Sequence, residues 1–294
     1  MSKFASVNYQ KQSKIMRIFK RKLYDKLLEW KNNRHGKTAV LIEGARRVGK
    51  STLTKQFAEN EYESYVMIDF SIVRDDVLEL FNHIDDLDYF FLQLQFRLGV
   101  SLKERKSLVI FDEVQKCPKA RQAIKHLVAA RRYDYIETGS LISVKSKSKK
   151  ILIPSEETKV SMYPMDYAEF KWALGDNTAI PQLRMLFDKK LSIGDAVTRK
   201  LMRDFRIYMV VGGMPQAVDT YIDTNNLMEV DRVKRNIIQL YEDDFYKIDS
   251  SGRLSMLFDA IPAQLNSNAS RYQVASAIGS NTNSDKILQL ISEL

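Results

Sequence analysis

The stretch from Thr38 to Thr52 constrains the fold of this chain more than any other. An apolar, β-prone run, Ala39 to Ile42, enters Gly44-x-x-x-x-Gly49-Lys50-Ser51, and a helix-compatible segment, Leu53 to Glu59, follows. A strand, a glycine-framed loop and a helix in that order make a loop that grips phosphates. Glycine leaves room for backbone N–H groups to turn inward around a di- or triphosphate. The helix adds the positive end of its dipole to the same anion. On this reading Gly44, Ala45, Arg46, Arg47, Val48, Gly49, Lys50, Ser51 and Thr52 surround a nucleotide. Lys50 reaches its β- and γ-phosphates, and the Ser51 hydroxyl ligates Mg²⁺. A plain glycine turn between packed elements is the weaker reading, because a strand precedes the motif and a helix follows it.

A second stretch completes the chemistry. SLVIFDEVQ, Ser107 to Gln115, runs four apolar residues straight into Asp112-Glu113. That is the pattern of a central parallel strand with acids at its C-terminal tip. Asp112 there suits the positioning of a metal, and Glu113 the orientation and deprotonation of an attacking water. Further strands are expected at Ser64 to Phe70, Tyr133 to Ser140 and Thr158 to Met165, with helices at Asp75 to Phe81, Asp88 to Leu98 and Ala120 to Arg132. Thr138 or Ser140, at the tip of a neighbouring strand, could sense a γ-phosphate; a Gly-Ser turn explains either one equally well. Alternating β and α elements imply an α/β fold with helices on both faces of a parallel sheet.

Charge is concentrated at one end. Of the formal net charge of +9, most comes from Met1 to Gly36, where ten Lys/Arg face only Asp25 and Glu29. Such an arm suits DNA or an acidic protein partner. Ile15, Ile18, Phe19, Lys22, Leu23, Leu27 and Trp30 also fall at helical spacing, as in a helix docked on the core with its basic side in water. No apolar run is long enough to span a membrane, no secretory leader is evident, and the single Cys117 fits a reducing, cytoplasmic setting. His35, His83 and His126 lack the spacing of a zinc site. The Leu141 to Lys150 run of lysine and serine reads as a solvated loop.

From Asp166 onward strands give way to helices, expected at Tyr167 to Leu174, Met185 to Leu191, Ala196 to Phe205 and Leu227 to Phe245, and interrupted by YMVVGGMPQAV, Tyr208 to Val218. Leu254 to Leu265, Arg271 to Ile278 and Asp285 to Leu294 read as three short amphipathic helices, either a helix-turn-helix or winged-helix unit or the end of a bundle. The pattern breaks off at Glu293-Leu294, so that unit reads as incomplete. The divisions are a basic helical arm (1–36), an α/β core (37–165), a helical lid (166–250) and the start of a winged-helix-like module (251–294).

With these residues in place, the chain resembles the prokaryotic AAA-type ATPases that join an ATPase core to a C-terminal domain of unknown function similar to restriction endonucleases. The matching landmarks, in the family's order, are LIEGARRVGKST (Leu41 to Thr52), IFDEVQKCPKA (Ile110 to Ala120), YIETGSL (Tyr135 to Leu141), YPMDYAEF (Tyr163 to Phe170) and VGGMPQAV (Val211 to Val218). The resemblance implies a three-layer α/β/α core of the AAA+ superfamily with strand order 5-1-4-3-2, then a lid. It makes Asp112 the magnesium-side acid and Glu113 the catalytic base. It gives Gly212, Gly213 and Pro215 the task of holding the lid against adenosine, and makes the terminal helices the start of a winged helix. The nuclease-like domain would lie beyond residue 294. Many members carry an arginine between the sensor strand and the YPMDYAEF motif; here Leu141 to Met162 has lysines and no arginine. An arginine finger for a neighbouring subunit, and a ring built on one, therefore lacks its residue.

The leading expectation is an ATPase that uses ATP and Mg²⁺ and whose nucleotide state moves the lid. The alternative is a switch that holds ATP or ADP with little turnover while the basic arm and terminal helices engage DNA or a protein. A small-molecule kinase on the same loop fits less well, since paired acids suit water activation better.

Overall fold

The computed structural model describes residues 17–140, 156–266 and 272–279. Strands β1 (Ala39–Gly44), β2 (Ser64–Asp69), β3 (Ser107–Asp112), β4 (Asp134–Ser140) and β5 (Glu157–Met162) form one sheet. Its order is 2-3-4-1-5 with every neighbouring pair parallel, the expected order read from the opposite edge. Parallel strands need crossovers, and these cover both faces of the sheet. Side chains divide accordingly along β1: Ala39 and Leu41 enter one apolar cluster, Val40 and Ile42 the other.

Helices α3 (Asp75–Leu80), α4 (Leu87–Leu98) and α5 (Pro118–Ala130) cover the first face. Here Phe70, Phe81, Phe90, Phe91 and Phe111 interlock, with ring centroids 5.1 to 5.8 Å apart. Helices α1 (Lys22–Arg34) and α2 (Lys50–Glu61) cover the second face, through Leu23, Leu27, Trp30, Leu53 and Phe57. The first face also buries charge. Arg121 of α5 lies 3.5 Å from Glu137 of β4 and 3.0 Å from Glu157 of β5, all three side chains excluded from water. Burial, only partly offset by Arg121, pushes the Glu137 carboxyl well above its ordinary range.

After β5 the chain is helical among the described residues: α6 (Tyr167–Ala173), α7 (Ala179–Asp188), α8 (Asp195–Val211), α9 (Pro215–Thr224), α10 (Leu227–Ile248), then the short α11 (Arg253–Asp259), α12 (Ile261–Asn266) and α13 (Val274–Ile278). Asp166 starts α6 with a reciprocal capping box to Glu169. Met165, Phe170, Val211, Ala217, Val218 and Val230 form the core of this layer. It leaves much apolar surface outside: α7 buries no side chain and α8 only Val211, with Met185, Phe187, Met202 and Met209 all at least 46% exposed.

Four expectations shift. Residues 17–21 have no regular secondary structure and α1 starts at Lys22, so Ile18 and Phe19 are not on the helix. Side-chain bonds from Arg17 and Arg21, described below, hold the segment in place. Helix α7 begins at Ala179, ahead of the expected Met185, because the Asp176 carboxylate accepts the Thr178 and Ala179 amides. Pro181 sits in the first turn, where no amide partner is needed. The β-prone Tyr208 to Val211 completes α8, and the break narrows to Gly212–Met214. Leu254 to Leu265 is two helices, not one, and Asp285 to Leu294 lies outside the described residues.

Candidate nucleotide site

Register brings the strand tips together. Asp69 pairs with Asp112 across β2 and β3, and Gly44 with Ser140 and Met162 on either side of β1. The carboxyl ends of parallel strands are where α/β sheets hold ligands. From Gly44 the loop turns over this edge. A Cβ on Gly44 would stand 2.2 Å from the Met162 carbonyl oxygen, so only glycine lets β1 pass β5 here. Arg47 at φ 69° and Gly49 at φ 98° take left-handed conformations that reverse the chain into α2. The Val48 side chain is buried beneath the loop.

Lys50 opens α2 and is 5% exposed, its Nζ donating to the Gly44 and Ala45 carbonyl oxygens at 3.0 and 2.9 Å. Burial pulls its ammonium below the ordinary lysine value, against the opposing pull of Glu113 and Asp112. A buried cation backed only by loop carbonyls is poised for an anion. Next to it, Ser51 Oγ donates to Asp112 Oδ1 at 2.9 Å, and the Thr138 hydroxyl donates to the same oxygen. Thr138 Oγ1 in turn accepts the Glu113 amide at 3.2 Å. Burial, with help from Glu113 and Asp69 and against those two hydroxyls, raises the Asp112 carboxyl above its usual range. Glu113 sits at φ 55°, a left-handed conformation costly for a residue with a side chain, and accepts from Gln115 Nε2 at 2.5 Å.

Two cavities flank the loop. One, of about 370 Å³, is walled by Arg46, Arg47, Gly49, Lys50, Ser51, Thr52 and Glu113 with Pro215 and Gln216 of α9. The other, of about 470 Å³, holds Asp69, Asp112, Glu113 and Ser140 beside Asp244 and Lys247 of α10. Arg46, Ser51 and Glu113 line both. Of the expected residues, Gly44, Ala45 and Val48 shape the loop without lining either cavity, and two others stand off it. Thr138 is buried behind Asp112. Gly213 is away from the cavity wall: a Cβ on it would stand 2.1 Å from the Met165 carbonyl oxygen, and its own carbonyl accepts the Met165 amide at 2.7 Å. It positions Pro215 by fastening α9 to the end of the sheet.

No local pattern announces the non-helical segment before α1. Arg17, Ile18, Phe19 and Arg21 line the first cavity. Arg21 donates to the carbonyls of Val48 at 2.8 Å and Tyr163 at 2.6 Å and lies 3.2 Å from Glu169 Oε2, while Arg17 bridges to Asp219 and Asp223 of α9. Also unforeseen are the bonds from α10 to the loop. Arg46 Nη1 meets both oxygens of Asp244 at 3.0 and 3.1 Å, and Tyr241 Oη donates to the Arg46 carbonyl at 2.8 Å. Hidden pairings more than a hundred residues apart carry no local pattern.

No group of three or more His, Cys, Asp or Glu side chains that could hold a metal occurs among the described residues. Ser51 and Asp112 offer a hydroxyl and a carboxylate in contact, the hard-oxygen set of a magnesium ion that keeps most ligands as water and phosphate. No described helix is long and apolar enough to cross a membrane.

Comparison with known proteins agrees with this geometry. A search of the curated proteins found no match. Among solved structures, the Walker-type ATPase of Pyrococcus abyssi aligns at TM-score 0.56 and 15% identity, over 94% of this chain and 89% of that one. DnaA from Aquifex aeolicus, bound to AMPPCP, aligns at TM-score 0.40 and 13% identity over 95% and 88%. At such identity the first match speaks for the fold alone. Residues 202–294 match a domain of unknown function (DUF8612), which starts inside α8 and is not described as nuclease-like. Residues 36–171, from the turn before β1 into α6, match the AAA domain.

Proposed function

We propose that the chain binds ATP with Mg²⁺ and hydrolyses it to ADP and phosphate, and that nucleotide state sets the position of the helices after residue 166. One observation carries this: Ser51, Asp112 and Thr138 form a hydrogen-bonded row beside the buried Lys50, with Glu113 facing both cavities. Lys50 exchanges its loop carbonyls for the β- and γ-phosphates, and the loop amides take the remaining oxygens. Ser51 and Asp112 hold the metal, which neutralises phosphate charge when bound. Glu113, oriented by Gln115, accepts the proton of the attacking water. Thr138 ties Asp112 to the Glu113 backbone, and Ser140 faces the same cavity; these two relay the presence of the γ-phosphate. Ile18 and Phe19 on one side and Pro215 on the other give adenine an apolar slot.

Calorimetry with ATP and magnesium, paired with phosphate release, tests the reading. Lys50→Ala loses binding of both ATP and ADP. Glu113→Gln keeps ATP binding and loses roughly 10²- to 10⁴-fold in turnover, the range for one acid–base group. Equal turnover in wild type and Glu113→Gln removes Glu113 from the mechanism.

A second reading, a nucleotide-gated switch with little turnover, is favoured by the apolar surface of α7 and α8. Met202, Phe205 and Met209 recur at helical spacing there with Arg203 and Arg206 between them and Arg199 just before, as on a face that engages a protein or DNA. Turnover with and without DNA separates the two. Tight nucleotide retention with no DNA-stimulated phosphate release supports the switch.

A further inference from the structure

We propose that Arg46 is a two-position switch: held by Asp244 of α10, as seen here, it transfers to the terminal phosphate of a triphosphate in the loop and so frees α10. The inference rests on the reading that this loop binds ATP. Arg46 is placed for both positions, since it lines the phosphate-side cavity with Lys50 and Ser51 and the acid-lined cavity with Asp112 and Glu113. Arg47, the other arginine of the loop, lines the phosphate-side cavity but not the acid-lined one. Arg21 is locked to Val48, Tyr163 and Glu169, and Arg17 to Asp219 and Asp223.

The exchange is favourable on simple grounds. The Arg46–Asp244 pair is partly open to water, the two side chains 41% and 23% exposed, and pairs of that kind are weak. A terminal phosphate offers more negative charge to the same planar fork. Asp244 is not stranded when Arg46 leaves, because Lys247 Nζ already donates to its Oδ1 at 2.8 Å. Tyr241, whose hydroxyl holds the Arg46 carbonyl, keeps α10 attached to the loop as a pivot while the charged contact opens. On the phosphate, the guanidinium neutralises charge that grows in the transition state, from within the same chain.

Titrating wild type, Arg46→Ala, Asp244→Asn and Lys50→Ala with Mg-ADP and with a non-hydrolysable Mg-ATP analogue tests this. Arg46→Ala is expected to lose about tenfold or more of the preference for the triphosphate, the worth of one charged hydrogen bond. Its loss of ADP affinity is smaller than its loss of triphosphate affinity, and a nucleotide-free thermal melt close to that of wild type certifies the fold. Asp244→Asn, which removes the competing anion, shifts the same ratio the other way by roughly two- to fivefold. A purely structural role for the pair would move both nucleotides together and both variants in one direction; either result overturns the switch while leaving nucleotide binding intact. Binding of neither nucleotide by wild type, with Lys50→Ala indistinguishable from it, overturns the underlying reading and this proposal with it.

Discussion

Gly213→Ala offers a test whose size follows from the coordinates. A methyl group there would stand 2.1 Å from the Met165 carbonyl oxygen and 2.8 Å from its nitrogen. Ordinary contact requires more than 3 Å, so the two backbones must part by about 1 Å. That parting breaks the 2.7 Å bond from the Met165 amide to the Gly213 carbonyl. It also displaces the Met165 carbonyl that accepts from Tyr208 Oη at 3.0 Å. A buried donor left without a partner costs about 1–3 kcal/mol, and overpacking a further 1–3 kcal/mol. The sum of roughly 2–6 kcal/mol corresponds to a fall in melting temperature of about 5–15 °C for a domain of this size. Because Pro215 follows two residues later on the cavity wall, nucleotide affinity falls as well. Gly212, one residue earlier, is a control: at φ 79° with nothing within 4 Å of a Cβ, its alanine variant pays for strain without a clash. Thermal melts with and without ADP read both effects. A Gly213→Ala protein melting within a degree or so of wild type, with unchanged ADP affinity, would refute the close-approach reasoning.

Other outcomes follow from the charged groups. The Asp112 carboxyl is raised, mainly by burial, so its protonated form favours folding; that contribution is complete at low pH and disappears as pH rises through the raised value. Asp112→Asn is therefore expected to gain melting temperature over wild type as pH goes from about 4 to about 7, while losing magnesium-dependent nucleotide binding. Equal differences at both pH values would contradict this. Arg121→Met leaves the buried Glu137 and Glu157 without their cation and is expected to cost about 3–5 kcal/mol in urea unfolding, part of which a second change, Glu137→Gln, restores. No recovery in the double variant would mean that the loss came from packing.

The sheet was legible because its signals are local. Gly44, Gly49, Lys50 and Ser51 fix a loop by their types, and buried parallel strands such as Ser107 to Asp112 appear as unbroken apolar runs. Their order came from the resemblance, and the registers agree with it. Helix limits after residue 166 were harder, because an Asp176 cap and the packing of Tyr208 on Met165 outweigh residue preference. Least legible were the outer walls of the site. Ile18 and Phe19 fit a helical stripe as well as they fit a cavity, and only the bonds of Arg21 to partners more than a hundred residues away decide between them. Asp244 gave no hint of its reach to Arg46 for the same reason.

The segment from Arg17 to Arg21 contributes nothing to either apolar cluster of the sheet, yet it forms part of the boundary of the nucleotide cavity. Arg21 makes that boundary part of the fold itself, through Val48, Tyr163 and Glu169. A shortened protein beginning at Lys22 would leave the buried Glu169 carboxylate without its guanidinium, so it would melt below the whole chain as well as hold adenine poorly, and the entrance to the pocket is coupled to whatever tethers or tugs the residues ahead of it.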